Sequence, residues 1–351
     1  MAAYTTIDDP EAYFQTVIYT GNGSANHAIT LDGDTDMQPD LVWIKNRDQT
    51  DSHCLFDAVR GATEVLHPDA NSAEATDADT LDSFATDGFQ VDADVKVNTN
   101  TEKYVAWCWK AGTTSGITTN GSTDITPSAY SFNQTAGFSI TEWTGTATTG
   151  DTLAHGIGAA PTLTIRKRKS ALSNWMVGHG SLGWTTHLFL DTDDDKASAH
   201  VNYFSNTAPD SVNITLGSDV NEVGAVIGWH WAPIQGFSKF GSFVGNGNVD
   251  GAFVYTGFRP AFLIIKCATR AGTDIWTMYD NKREGYNVDN DALSADTNAA
   301  ERTSDDIDIL SNGFKCRNSV TDVNPSGETA VYIAFAEAPF VNSSGVPCNA
   351  R

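Results

Sequence analysis

Basic side chains are scarce. Lysine and arginine number 21 against 44 aspartates and glutamates, a net charge of −23. Such a surface repels nucleic acid and anionic lipid, so neither is an expected partner. No apolar run approaches the roughly 18 residues that a membrane span needs, so no membrane insertion is expected either. The opening stretch MAAYTTIDDPEAYF lacks the basic and apolar regions of a secretory signal. Cysteine is limited to Cys54, Cys108, Cys267, Cys316 and Cys348, scattered and without a Cys-x-x-Cys pair. That pattern excludes a disulfide framework and the usual zinc spacings, and it reads as free thiols in a reducing cytosol. Long runs of helical period are missing too. The best helix candidate is SAEATDADTLDSFAT (72–86), with Ser72 as its cap.

What is present favours strands. Val, Ile, Thr and aromatic residues are punctuated by Gly, Asn, Asp and Ser at intervals of roughly eight to twelve residues. YVAWCWKAG (104–112) alternates large apolar residues with small or polar ones, as AVIGWHWAP (225–233) and VYIAFAEAP (331–339) do. Aligned, Trp107 falls on Trp229 and Phe335, and Trp109 on Trp231 and Glu337. Other landmarks recur in the same order: YTGNG (19–23) with WTGT (143–146) and FVGNG (243–247), and PDLVWIKNR (39–47) with PTLTIRKRK (161–169) and PAFLIIKCA (260–268). LFDAVRG (55–61) matches MYDNKREG (278–285), placing Asp57 on Asp280 and Arg60 on Arg283; TDGFQV (86–91) matches SNGFKC (311–316). The middle copy lacks both elements. The chain therefore reads as three divergent copies of a unit of roughly 100–110 residues.

The expected fold class is all-β: three tandem, divergent β-sandwich-like repeats, each with at most one short helix. The expected boundaries are an N-terminal arm (1–16), repeat one (17–112), a Gly/Ser/Thr-rich linker (113–128), repeat two (129–235), repeat three (236–345) and a tail (346–351). Charge is uneven, with 20 acidic and 6 basic residues in 1–112. Core positions are assigned to Trp43, Trp107, Trp109, Trp229, Trp231 and Phe335. Cys108 aligns with His230 and with an alanine, and alanine neither ligates metal nor exchanges electrons, so a structural role is expected there.

Other candidates are weaker. GNGSA (21–25) and GNGNVDG (245–251) lack the Lys-Ser/Thr of a phosphate loop and read as two-residue hairpin turns. LDGDTD (31–36) spaces Asp32, Asp34 and Asp36 alternately, as weak calcium-ligand candidates, but no bidentate Glu follows. His155, His179, His187, His200 and His230 all lie in copy two without zinc spacing or a positioned nucleophile. RKRK (166–169) lies on an expected strand, so its side chains alternate between faces; pairing with a neighbouring repeat or subunit is expected. No catalytic residue, cofactor or enzyme activity is assigned.

The stretches TIDDPEAYFQTVIYTGNG (6–23), PDLVWIKNR (39–47), HCLFDAVRG (53–61), YVAWCWKAG (104–112), YTGFRPAFLIIK (255–266) and ILSNGFK…VYIAFAEAPF (309–340) resemble a domain of virion structural, tail-fibre-like proteins of marine tailed bacteriophages. The resemblance implies a particle protein assembled in the bacterial cytoplasm, located in the virion and contacting other virion proteins. A tail fibre or appendage with a host-attachment role is the first expectation, as a homo-oligomer with a trimer favoured and a host surface glycan as a further partner. A capsid decoration protein (cement or head fibre) is the alternative, and a free carbohydrate-binding module the third.

Overall fold

The computed structural model describes residues 4–348, apart from 198–199, 273, 284–286 and 288. Residues 1–3 of the expected arm, 349–351 of the expected tail, and Glu284 and Gly285 of MYDNKREG lie outside the described residues. The chain is all-β, and among the described residues the named strands pair antiparallel, with one isolated parallel bridge between Ile125 and Leu153.

The N-terminal segment holds β1 (Phe14–Thr20), β2 (His27–Thr30), β3 (Leu41–Asn46), β4 (Cys54–Asp57), β5 (Gly61–Leu66), β6 (Ala75–Thr76), β7 (Leu81–Ala85), β8 (Gly88–Val91), helix α1 (Val95–Asn98) and β9 (Lys103–Trp109). The middle segment holds β10 (Ala129–Asn133), β11 (Phe138–Gly145), β12 (Thr152–Ala154), β13 (Leu163–Arg168), β14 (Met176–His179), β15 (Leu188–Phe189), α2 (Val201–Phe204), β16 (Asn213–Thr215) and β17 (Gly224–Trp231). The C-terminal segment holds β18 (Ser238–Val244), β19 (Phe253–Tyr255), β20 (Phe258–Cys267), β21 (Thr277–Asp280), β22 (Asp289–Ser294), β23 (Arg302–Leu310), β24 (Gly313–Cys316) and β25 (Thr329–Pro339).

Each segment builds a main sheet whose five matching strands run in one order: β1-β9-β3-β4-β5, β11-β17-β13-β14-β15 and β18-β25-β20-β21-β22. A smaller layer covers each: β2-β8-β7, β12-β16, and the β23-β24-β19 end of the C-terminal sheet. Period-2 alternation divides the main-sheet side chains between two layers. On β9, Val105, Trp107 and Trp109 face a central core, while Tyr104, Ala106 and Cys108 face the N-terminal small layer. The central core draws buried residues from Ile7 to Ala336, so the three segments share one interior. All six assigned core residues lie in it, each at most 5 % exposed.

Four expectations are corrected. The stretch 72–86 forms β6 and β7 rather than a helix; the helix of this segment is α1, capped by Asp94. Its alternating Leu81 and Ser83 belong to a sheet edge, and Asp77 and Asp79 lie in the turn between β6 and β7. The register of copy three slips by two. Phe335 lies opposite Phe262, as Trp109 lies opposite Leu41 and Trp231 opposite Leu163. Phe335 thus corresponds to Trp109 and Trp231, and Ile333 to Trp107 and Trp229; a bulge at Arg259–Phe262 absorbs the slip. Ala334 then matches Cys108 and His230. The GNG stretches are not two-residue hairpins, because β1 and β2 belong to different sheets. They are crossovers clamped by a buried asparagine: Asn98 accepts from Asn22 N and Gly23 N, and Asn324 accepts from Asn246 N and Gly247 N. A Cβ on Gly21 would lie 2.1 Å from Thr99 O, and one on Gly245 2.2 Å from Pro325 O, which is why glycine stands there. Finally, 113–128 is packed on the middle segment: Thr113 bridges to Phe132 and Ile125 to Leu153.

Candidate functional site

The segments meet through matched contacts. His53, Trp175 and Trp276 occupy one position, each just before the strand that follows β3, β13 or β20. Each reaches a backbone carbonyl of another segment: His53 Nε2 to Ser294 O (3.0 Å), Trp175 Nε1 to His67 O (3.0 Å) and Trp276 Nε1 to Phe189 O (2.8 Å). Trp43 Nε1 donates to His53 Nδ1, which fixes the tautomer in which His53 Nε2 is the donor. A second set repeats beside it: Glu74 N to Lys169 O, Lys196 N to Ala268 O and Glu301 N to Arg47 O, at 2.8–2.9 Å. N-terminal meets middle, middle meets C-terminal, and C-terminal meets N-terminal, so the three contacts close a ring.

Buried charge supports the seams. Asp57 and Arg60 pair at 2.6 Å, Glu74 joins at 3.0 Å, and the guanidinium lies over the Trp229 ring. Asp280, Arg283 and Glu301 repeat this with the same distances over Trp107, whose Nε1 donates to Asp280 Oδ2. In the middle segment His179 stands at the aspartate position, and Leu182 three residues on. The facing residue there is Ile333 rather than tryptophan, so no ring or indole N–H is present for an Asp–Arg pair to meet. That is the physical reason for the missing element of copy two.

Another matched set escaped the sequence reading. Asp69, Asp191 and Asp296 accept from the backbone N–H of His53, Trp175 and Trp276. The signal was Leu-x-x-Asp, present as LHPD, LFLD and LSAD. Burial raises all three carboxyls, that of Asp296 to about 6. Lys45, Lys167 and Lys266 are buried nearby and pin loop carbonyls, Gln49 O, Ser173 O and Asp274 O respectively. These groups are engaged in holding the fold.

The outer layer of the middle segment differs. In the N-terminal segment the buried face toward the small layer carries Val17, Val42, Ile44 and Cys108. The register places Thr141, Thr164, Arg166 and His230 at the same points of the middle sheet. His230 Nε2 pairs with Thr141 Oγ1 at 2.9 Å, and its Nδ1 is unpartnered among the described residues. Arg166 is 1 % exposed; its Nε donates to Thr164 Oγ1, but Nη1 and Nη2 have no acceptor among the described residues. Its guanidinium stands 4.8 Å from the Phe204 ring centroid. Gly178 makes room for that ring: a Cβ there would lie 2.5 Å from Phe204 Cζ, where the N-terminal segment has Phe56. Burial pushes the Arg166 guanidinium down to about 9, with no opposing influence from a carboxylate, and pushes His155 down to about 4. His187 is 2 % exposed, rests on Tyr203, and has both ring nitrogens unpartnered among the described residues. A cleft of about 230 Å³ opens beside this group, walled by Arg166, Arg168, Asn174, Tyr203 and Glu222 among others.

The remaining candidates disperse. Asp32 pairs with Lys282, and among the described residues no three His, Cys, Asp or Glu side chains stand together as metal ligands. Asp34 and Asp36 are exposed. Within RKRK, Arg168 meets Glu222 at 2.7 Å, Lys167 reaches Asn71 O, and Lys169 bridges Glu74 and Glu142. Of the four cysteines at 54, 108, 267 and 316, all are buried thiols; Cys348 is exposed.

A family model described as a domain of unknown function, DUF7483, matches residues 9–339. The chain belongs to that family, and the single match spans all three segments. Comparison with curated proteins and with solved structures gave no match.

Proposed function

We propose that the protein is a non-enzymatic structural component on the exterior of a bacteriophage particle, in a tail fibre or related appendage, where it takes part in host attachment. The observation that carries this reading is the division of labour between the layers. The inner faces and seams use their histidines, lysines and carboxylates to hold one another, which suits a rigid scaffold. The middle segment's outer layer keeps an apolar cluster but sets unpartnered polar groups, His187 and His230 among them, beside a cleft, which suits recognition of a ligand. The resemblance of the landmark stretches to tail-fibre-like virion proteins supplies the particle context. The strongly acidic surface favours keeping many crowded copies apart.

A capsid decoration protein is the second reading. It is favoured by the closed ring, which makes the chain a block rather than a thread. The same closure bears on oligomers: the tryptophan faces are spent within one chain, so a trimer would have to assemble through outer surfaces. Electron microscopy of intact particles with a gold-labelled antibody against this chain tests the proposal. Label on tail appendages supports the first reading, label over the head the second. Particles without label overturn both.

A further inference from the structure

We infer that β18 is an assembly edge, which pairs antiparallel with β18 of a second copy of this chain. The inference goes beyond the proposed function and does not rest on where the protein sits in a particle. Five observations carry it.

First, the edge is open. β18 and β19 stand at the two ends of the C-terminal sheet. Ala336 N donates to Phe237 O and Gly245 N to Glu328 O, so the odd-numbered residues between them face β25. Phe240, Ser242 and Val244 therefore turn their backbone groups outward, and none of their N–H groups has a partner among the described residues. Second, the fold itself adds a strand at this place. The register sets Ser238, Phe240 and Ser242 level with Phe138, Ile140 and Glu142, and there β10 pairs with β11 as an outermost strand. Third, the edge lacks the protections that keep exposed strands apart. It has no proline and no bulge against β25, and its one charge, Lys239, is turned onto Tyr255 O at 2.7 Å. Residues 223–249 hold no aspartate or glutamate, so two copies of a strongly acidic chain meet at this strand without facing carboxylates on it. Fourth, apolar side chains are exposed along it. Val244 is 60 % exposed, and Phe253 and Tyr255 on the adjoining β19 are the exposed aromatic residues among the described ones. Fifth, the strand is self-complementary. Antiparallel pairing centred on Ser242 sets that residue opposite its own copy and places Val244 of each chain beside Phe240 of the other, on the same face of a continuous sheet. The twofold uses both edges at once, so the assembly closes as a dimer.

Sedimentation velocity of the full chain up to about 200 μM is expected to show a concentration-dependent dimer. Ser242→Cys brings two thiols across the twofold; it is made together with Cys348→Ser, because Cys348 is exposed. Opposed residues of a hydrogen-bonded antiparallel pair stand about 5.5 Å apart, within disulfide reach. Mild oxidation is expected to link that variant into a dimer and to leave Ser211→Cys, at an exposed site of the middle segment, unlinked. Ser242→Pro removes an N–H that the single chain does not use. Its melting temperature is expected to stay within about 2 °C of the wild type while the dimer is lost. A wild-type chain that stays monomeric overturns the inference. So does a dimer that survives Ser242→Pro, or a disulfide that forms at Ser211→Cys as readily as at Ser242→Cys. Should Ser242→Pro not fold, Val244→Lys is expected to weaken dimerisation by about tenfold or more, and unchanged association overturns the inference. A monomer that takes up a synthetic peptide AYSFN, the sequence of β10, points to a strand from another protein and overturns the second copy as the occupant. A monomeric chain leaves the particle location standing, and an absence of gold label leaves this edge standing.

Discussion

The N-terminal and middle segments share a strand order and meet the same central core, yet the layers behind their main sheets differ: the middle one sets buried polar groups beside a smaller apolar cluster of Trp143, Leu153, Phe204 and Ile214. Behind the N-terminal sheet, Val17, Val42, Ile44 and Phe56 pack as an apolar filling. Behind the middle sheet, Thr141, Thr164, Arg166 and Gly178 occupy those points, with His230 beside them. The inner faces diverge less: Leu41 and Leu163, Trp107 and Trp229, Trp109 and Trp231 match one for one, while Asp57 and Trp43 give way to His179 and Ile165. The difference teaches where constraint lies. A residue on an inner face must fit two neighbouring segments at once, whereas a residue on an outer layer answers only to its own small sheet.

The largest expected effect tests the shared interior. Trp107→Ala and Trp229→Ala should each cost about 3–5 kcal/mol in chemical denaturation. The Trp107 change also strips Asp280 of an indole donor and Arg283 of its ring. Small losses at both sites would mean that the inner faces do not carry the fold. Next comes the seam charge: Asp280→Ala removes the carboxylate that meets the buried Arg283 at 2.6 Å, and should cost about 3 kcal/mol or more. Replacing Asp280 and Arg283 together by leucine should cost much less, because the middle segment manages with His179 and Leu182. A double variant as damaged as the single one would sink that explanation.

Acid provides a third test. Burial holds His53 at about 3 and His155 and His179 at about 4, below the usual histidine value. A depressed folded-state pKa means that the unfolded chain binds the proton first. The contribution is therefore full above pH 6.5 and is lost as pH falls toward the folded values. At pH 5.5 the loss should be roughly 1 kcal/mol per histidine, read as a falling melting temperature between pH 7 and pH 5. Asp296, raised to about 6, gains stability over the same range, so the profile is read in Asp296→Asn; a flat profile there would show that these rings are not held neutral by the fold. The smallest effect belongs to the outer layer. Trp184, half-buried on Phe204, should cost about 1 kcal/mol on Trp184→Ala, well below the inner tryptophans. A loss equal to that of Trp229→Ala would erase the contrast between the layers.

Strand-borne features were legible in the sequence wherever two constraints fell on one residue. The alternation of YVAWCWKAG and the Pro-x-x-x-x-x-Lys stretches marked strands because both faces are buried. The two-residue slip at Phe335 was hidden because it preserves alternation and is made good by a bulge in a different strand. The seam carboxylates were missed because Leu-x-x-Asp fixes only two positions in four, and their meaning lies in a backbone N–H brought close by folding. Arg166 was visible only as part of a basic run. Its isolation from every carboxylate is a property of the packed layer, which no spacing along the chain records.

The closed ring also sets an order of events. The seam between the C-terminal and N-terminal segments joins Glu301 to Arg47 and Trp107 to Asp280, partners 254 and 173 residues apart in the chain. Tyr4 and Thr5 dock on Gly257 and Gln235, and Asp8 meets Ser343 N. A ribosome will therefore have delivered two finished sheets, with tryptophans uncovered along one side, before the strand that seals them exists. Contacts of such long sequence separation form slowly. During that interval the nascent chain exposes sticky surface, and a chaperone or rapid synthesis of the last third would decide the yield of folded protein.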